Sequence, residues 1–165
     1  MKLEETFDRI AQEHGAMIKR IALSYEFEPS LAEDLVQDIY LAIWRALPAF
    51  RGAASLRTFV ARIATNRSIT HIARSRRWPP NLELGEDIPA PDCDPESQAI
   101  ASNRHAALMH AVRNLPLAYR QPVMLTLEGL APGEAAQALG ISANAVAIRL
   151  SRAKGMLRTL IGDQS

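Results

Sequence analysis

The 165-residue sequence has very little cysteine, and this scarcity excludes two kinds of protein. Its single thiol, Cys93, cannot form an internal disulfide, so the chain is not a small secreted domain built on disulfides. The sequence also lacks a CxxC pair, and its four histidines form no HExxH or comparable ligand pair. We therefore expect no metal site and no cofactor.

Long apolar runs are absent as well. No stretch approaches the roughly 20 apolar residues that a membrane-spanning helix needs. The N-terminal residues, MKLEETFDRIAQEHG, carry too many charges for a signal peptide. We expect a cytoplasmic protein that does not insert into a membrane.

Acidic residues are missing from one segment and basic residues from the next, although the whole chain has 19 basic and 18 acidic side chains. Residues 50–80 contain seven arginines and no carboxylate, whereas residues 81–103 contain six acids and no base. Residues 1–49 have a net charge of −4 and residues 104–165 of +4. The near-neutral total is a cancellation, and charge separated in this way indicates different tasks along the chain.

No segment alternates between apolar and polar residues as a strand would, and the apolar residues follow a helical spacing. Three- and four-residue steps predict helices from Phe7 to Tyr25, from Leu31 to Leu47 and from Leu56 to about Arg76. We expect Ser30, at the start of a capping box, and Ser55 to cap the second and third of these helices.

The acidic segment 81–103, which also contains prolines, predicts an extended, flexible linker. The helical pattern resumes at Arg104. The expected fold is therefore all-α, with two small helical domains, 1–80 and 104–165, joined by the acidic linker.

Residues 131–154, APGEAAQALGISANAVAIRLSRAK, have the pattern of a helix-turn-helix. Ala136 allows the two helices to approach, Gly140 tolerates the turn, and Val146 locks the second helix onto the first. Asparagine and arginine read adenine and guanine edges, so the second helix predicts DNA binding. An alanine-rich structural hairpin with solvated arginines is the alternative. The candidate DNA contacts are Ser142, Asn144, Arg149, Arg152 and Lys154.

The second predicted helix has an unusual outer side. Asp34, Asp38 and Arg45 lie within about 40° of one another at 100° per residue, with Trp44 beside them. Taken alone, this pattern favours an ordinary solvated face with a tryptophan in the core. A metal or acid–base role is disfavoured because no third ligand lies nearby in the sequence.

Together these segments resemble a known family. The stretch AEDLVQDIYLAIWRALPAFRG, then SLRTFVARIATNRSITHIARSRR, the acidic linker and the helix-turn-helix resemble the extracytoplasmic-function (ECF) sigma factors of bacterial RNA polymerase. The resemblance covers nearly the whole chain in the family's order. It implies that residues 1–80 are sigma region 2 and residues 104–165 are sigma region 4.

The resemblance implies partners for both domains. Region 2 would dock its EDLVQ-type helix on the β′ clamp of core RNA polymerase and hold the melted minus-ten element of promoter DNA, with one flipped base in a pocket. Region 4 would read the minus-thirty-five element, and an anti-sigma factor would hold the protein inactive. The implied polymerase contacts are Asp34, Gln37, Asp38, Leu41 and Trp44. The implied minus-ten contacts are Phe50, Arg51, Arg62, Asn66, Arg67, Arg74, Arg76 and Arg77.

The chain departs from the family pattern at two places. The family usually has a basic residue after the valine of the recognition helix, whereas this chain has Ala147 and Ile148 there, and it has Arg67 where the family more often has an apolar residue. Two other functions stay open, a stand-alone helix-turn-helix regulator and an inhibitor that mimics a sigma domain. Neither the resemblance nor the residues predict an enzyme.

Overall fold

The computed structural model describes residues 2–74 and 104–162. Both stretches are helical and contain no β-strand, which confirms the all-α fold class. The predicted linker (81–103), Cys93, Arg76 and Arg77 lie outside the described residues. None of the described helices is long and apolar enough to cross a membrane.

Three helices form the N-terminal bundle because each buries one apolar stripe. Helix α1 spans Leu3–Tyr25, α2 spans Pro29–Ala46 and continues into a 3-10 turn at Leu47–Ala49, and α3 spans Leu56–Arg74. The three- and four-residue spacing places the apolar side chains of α1 and α2 on facing sides. The fully buried ones are Ile10, Ile18, Ile21, Leu35, Ile39 and Ile43.

Helix α3 packs through small side chains. Its buried positions include Ala61, Ala64 and Ser68, which let the neighbouring helices approach closely. The Ser68 hydroxyl donates to the Ala64 carbonyl at 2.7 Å, so its burial leaves no unpaired donor. Arg62 and Arg74, on the same helix, are exposed.

One predicted cap is correct and one is wrong. The Ser55 Oγ accepts the Thr58 N–H at 3.1 Å and caps α3 as predicted. Helix α2, however, begins at Pro29, and Glu28 is its cap, accepting the Leu31 N–H at 2.8 Å. Proline suits the first turn of a helix because its missing N–H would have no partner there, so α2 begins earlier than predicted.

The described C-terminal residues, 104–162, form four helices. They are α4 (Arg104–Arg113), α5 (Leu117–Leu127), α6 (Pro132–Leu139) and α7 (Ala143–Gly162). Helices α6 and α7 are the two arms of the predicted helix-turn-helix. A separate apolar cluster joins α4, α5 and α7, and its most buried members are Val112 and Ala153.

The N-terminal bundle and the C-terminal helices pack directly against each other. Helix α6 lies on α3 and α5 touches α1, so one apolar cluster continues from Ile10 to Val146. At the edge of this contact, the Arg20 Nη2 donates to the Glu128 carboxylate at 2.7 Å. Deeper inside, the Gln121 amide donates to the Tyr25 hydroxyl at 2.8 Å, and burial raises the pKa of Tyr25 to about 12.

Candidate functional site

The turn of the helix-turn-helix has the geometry that the sequence predicts. Gly140 adopts φ +69°, the left-handed region that favours glycine. Ala136 and Val146 are buried on the two sides of the turn. The Ser142 Oγ accepts the Ala145 N–H at 3.0 Å, so this serine caps α7. The second helix is thereby held at a fixed angle to the first.

The structure separates the candidate contacts of α7. Asn144, Arg152 and Lys154 are exposed, whereas Arg149 is half-buried. Arg149 lies about 140° around the helix from Asn144 at 100° per residue. These two side chains therefore do not share one face, although the sequence grouped them together.

A cavity opens at the start of α3. It has a volume of about 410 Å³, and its lining includes Phe50, Arg51, Phe59 and Arg62. The ring centroids of Phe50 and Phe59 lie 4.6 Å apart, so the two rings form an aromatic wall of the cavity. Aromatic rings beside cations form the combination that stacks bases and neutralises phosphates in single-stranded nucleic acid. The sequence pointed to Phe50, Arg51 and Arg62 but missed Phe59, whose helical spacing from Ser55 and Arg62 is the signal that could have found it.

The C-terminal helices contribute to this cavity and to the helix end beside it. Gln137 of α6 lines the cavity. The Thr58 hydroxyl donates to the Glu134 carboxylate of α6 at 3.0 Å, at the N-terminus of α3. The Glu134 carboxylate also accepts the Ala131 N–H at 3.1 Å, and this hydrogen bond, followed by that from Thr58, lowers the pKa of Glu134. A carboxylate therefore occupies the anion-attracting end of the acid-free helix.

Farther along α3, the candidate DNA contacts differ in their surroundings. Asn66 and Arg74 are exposed. The guanidinium of Arg67 instead donates to the Asp38 carboxylate of α2, at 2.6 Å from Nη2 and 3.0 Å from Nε. Arg67 thus joins the two faces that the sequence assigned to DNA and to polymerase.

The outer face of α2 exposes large apolar side chains between its acids. Leu41 is 46% and Trp44 42% exposed, which is unusual for side chains of this size. The Trp44 ring contacts Phe7 edge-to-face at 5.3 Å between centroids, so the indole is held in place while its outer side faces solvent. Asp34 and Gln37 are exposed on the same side of the helix. A groove of about 520 Å³ between α1 and α2 adjoins Gln37.

One cluster of two arginines around a phenylalanine was not anticipated from the sequence. The guanidinium carbons of Arg113 and Arg120 lie 5.3 Å and 5.6 Å from the centroid of the Phe27 ring. This distance is typical of cation–π contacts. The cluster joins the end of α1 to α4 and α5, so it belongs to the packing of the two parts. Within the described residues, no group of histidine, cysteine and carboxylate side chains is arranged to hold a metal ion.

Comparisons with known proteins show which family the chain belongs to. The sequence matches the Sigma-70 region 2 family over residues 10–78 and the Sigma-70 region 4 family over residues 105–157. It is 32% identical over 164 residues to the RNA polymerase sigma factor NccH of Alcaligenes xylosoxydans xylosoxydans, covering 94% of this chain and 86% of NccH. It is also 34% identical over 166 residues to the ECF RNA polymerase sigma factor SigG of Mycobacterium tuberculosis, covering 85% of this chain and 45% of SigG. The chain belongs to the ECF family of RNA polymerase sigma factors.

The fold of this ECF sigma factor is shared by solved structures. The structure of CnrH in complex with the cytosolic domain of CnrY has a TM-score of 0.72 at 24% identity and covers 98% of this chain and 91% of CnrH. The structure of the sigma factor RpoE in complex with the anti-sigma factor NepR from Bartonella quintana has a TM-score of 0.73 at 21% identity. It covers 96% of this chain and 98% of RpoE. The sigma factor is thus a transcription initiation factor with the family's region 2 in α1–α3 and region 4 in the C-terminal helices.

Proposed function

We propose that this sigma factor recruits core RNA polymerase to promoters through three separate surfaces. The outer face of α2 docks on the β′ clamp of polymerase. The cavity at the start of α3 and the exposed residues along that helix capture the melted minus-ten element. Helix α7 enters the major groove of the minus-thirty-five element. The protein acts in the cytoplasm and carries out no covalent chemistry of its own.

The cavity beside α3 is the observation that carries the proposal. A stand-alone duplex-binding regulator has no use for an aromatic pocket flanked by Arg51 and Arg62 on a helix without carboxylates. An unpaired base and its phosphates need both features, because the ring stacks on phenylalanine while the cations neutralise the backbone. The free energy for strand opening comes from binding the unpaired strand in preference to the closed duplex.

The α2 face supports the polymerase contact. Protein interfaces draw most of their binding free energy from a few rigid aromatic anchors surrounded by polar groups. Trp44 is such an anchor because Phe7 holds one side of its ring, and Asp34 and Gln37 provide the polar surroundings. Leu41 adds exposed apolar area at the centre of the face.

We further propose that an anti-sigma factor controls this protein. Two structures of similar fold, CnrH with CnrY and RpoE with NepR, are complexes, and NepR is described as an anti-sigma factor. An inhibitor that covered Leu41 and Trp44 would bury apolar area that is exposed in the free chain. The same coverage would prevent polymerase from docking.

The strand-capture role is tested with Asn66→Ala. Asn66 is exposed on α3, so its removal should leave the fold and polymerase binding unchanged. We expect weaker permanganate reactivity of promoter thymines in the opened region, because this method detects unpaired thymine. Gln12→Ala is the matched control, since it removes an exposed amide from α1, on another part of the bundle.

The two measurements together separate the possible results. Holoenzyme assembled with Asn66→Ala should bind promoter DNA in the closed state as the wild type does. A permanganate footprint identical to that of wild type and Gln12→Ala would contradict a role of Asn66 in capturing the strand.

A further inference from the structure

The outward arc of α7 has an unexpected composition. Asn144, Ala147, Ile148 and Ser151 are all exposed and lie within about 100° of arc at 100° per residue. They occupy the first two and a half turns of the helix, the N-terminal part of a recognition helix that meets base edges. The arc thus combines an amide and a hydroxyl with two apolar side chains.

Ile148 has no structural task within the described residues. It is 45% exposed and belongs to neither apolar cluster, whereas Val146 and Leu150, two positions away on either side, pack into the protein. Arg149, the next residue, is half-buried and lies about 150° around the helix from the middle of the arc. The side chain that faces outward at this height of the helix is therefore a branched apolar one.

The major groove offers one apolar group to such a side chain. Each base pair presents hydrogen-bond donors and acceptors there, but only thymine adds a methyl group, at C5. Asn144, one turn before Ile148 on the same arc, has the amide that pairs with the N6 and N7 atoms of adenine. An A·T-containing segment supplies partners for both side chains.

We infer that Ile148, flanked by Ala147, reads the C5-methyl group of thymine in the minus-thirty-five element. The inference rests on the proposed function, since it specifies what α7 recognises once region 4 lies on the promoter. Replacing thymine by uracil removes this methyl group and leaves base pairing unchanged. The contact can therefore be removed from either partner, the protein or the DNA.

The experiment begins with holoenzyme assembled from core polymerase and the full chain. Transcription from a promoter library with a randomised upstream box identifies the preferred box. Each thymine of that box is then replaced singly by deoxyuridine, and the affinity of the holoenzyme is measured. With the wild-type chain we expect about fourfold weaker binding at one or two positions, the loss expected for one buried methyl group.

Three variants assign the loss to Ile148. Ile148→Ala should bind the thymine and uracil promoters equally well, and Ile148→Val should keep a preference for thymine. Ile161→Ala is the matched control, because Ile161 is exposed to a similar extent, 43%, but lies near the end of α7. It should discriminate between thymine and uracil as the wild type does.

The alternative results overturn the inference in different ways. An unchanged thymine preference in Ile148→Ala, or no thymine at which uracil weakens binding, would exclude a methyl contact by this residue. If Ile148→Ala weakened binding to the thymine and uracil promoters by the same factor, Ile148 would contribute to binding without contacting the methyl group. If the library yielded no preferred upstream box at all, the proposed reading of that element by α7 would fail together with the methyl contact.

Discussion

The ion pair between Arg67 and Asp38 connects the proposed DNA-binding surface of α3 to the proposed polymerase-binding face of α2. Arg67 was predicted to contact the melted strand and Asp38 to contact polymerase, and both stay predictions. In the structure the Arg67 and Asp38 side chains are 31% and 40% exposed. Both Nε and Nη2 of Arg67 donate hydrogen bonds to Oδ2 of Asp38. Arg67 therefore orients the carboxylate that we assign to the polymerase face, in addition to any contact of its own.

A double-mutant cycle measures the interaction free energy between Arg67 and Asp38. We expect Arg67→Ala and Asp38→Ala to be coupled by about 0.5–1 kcal/mol in the free energy of unfolding, because partly exposed ion pairs contribute about this much. Urea denaturation of the two single variants and the double variant provides the value. Arg62 lies on the same helix and lines the cavity instead, so the cycle of Arg62→Ala with Asp38→Ala should give a coupling near zero.

The same pair tests how Arg67 acts in initiation. If Arg67 works by orienting Asp38, Arg67→Ala should weaken the binding of core polymerase in the wild-type background and have no further effect beside Asp38→Ala. A loss of promoter opening that persists in the Asp38→Ala background would instead support a direct contact between Arg67 and DNA.

At the scale of the element, the helix-turn-helix depends on one backbone conformation. Gly140 has φ +69° and an added Cβ would meet nothing within 4 Å, so strain in a substituted residue would come from the backbone alone. Gly155 is exposed inside α7 and is equally free of close neighbours. Since neither position is crowded, comparing them isolates the effect of backbone conformation on stability.

Alanine at these two glycines should have opposite effects on stability. We expect Gly140→Ala to lower the free energy of unfolding by about 1–2 kcal/mol, the cost of a left-handed conformation for an L-residue. Gly155→Ala should raise it by about 0.5–1 kcal/mol, because alanine is favoured over glycine within a helix. Urea titrations of both variants against wild type measure these changes, and a loss of equal size at the two positions would refute the backbone explanation.

The elements show how far local sequence determines the structure. Gly140, Ala136 and Val146 stand at the required separations, so the helix-turn-helix could be read directly. The start of α2 could not, because Ser30 and Glu28 are both able to cap and the choice depends on the proline between them. Likewise, the spacing does not show that Leu127, within the apolar pattern of α5, is 49% exposed.

At the scale of the whole molecule, the contact between the two domains is the feature that the sequence did not reveal. Arg20 and Glu128 are 108 residues apart, and neither the spacing nor the charge pattern pairs them. The α2 face was singled out by the family resemblance, because its residue pattern alone favoured an ordinary solvated face, and its role stays a prediction. Phe59 and Gln137 meet around one cavity, and Glu134 reaches Thr58 beside it, only through tertiary packing, which single-sequence patterns do not encode.

This packing conflicts with simultaneous promoter contacts. The two promoter elements lie about 25 base pairs apart, which corresponds to about 85 Å along the duplex. In the structure the hydroxyl of Thr58 in region 2 is 3.0 Å from the Glu134 carboxylate of region 4. The two regions must therefore separate before each can reach its own element.

A cross-link that holds the regions together should block initiation. Arg20→Cys and Glu128→Cys introduce thiols on the two sides of the contact, and Cys93→Ser removes the sequence's own cysteine. After treatment with a short, reducible thiol cross-linker, we expect less than about a tenth of the uncross-linked transcript, because the effective concentration of each domain at its element is lost. Reduction should restore transcription. Each single-cysteine variant treated with the same reagent is the control, and full activity of the cross-linked chain would show that the regions need not separate.

The most direct test of the account is reconstituted transcription from DNA upstream of the protein's own gene. The purified chain is added to bacterial core polymerase as wild type, as Asp34→Arg, or as Glu13→Arg, a charge reversal on the exposed side of α1 that removes an exposed i,i+4 pair with Arg9. We expect a discrete transcript that requires the chain, persists with Glu13→Arg and disappears with Asp34→Arg. Absence of a transcript, together with tight binding of the chain alone to the same DNA, would contradict a sigma factor and indicate a stand-alone regulator.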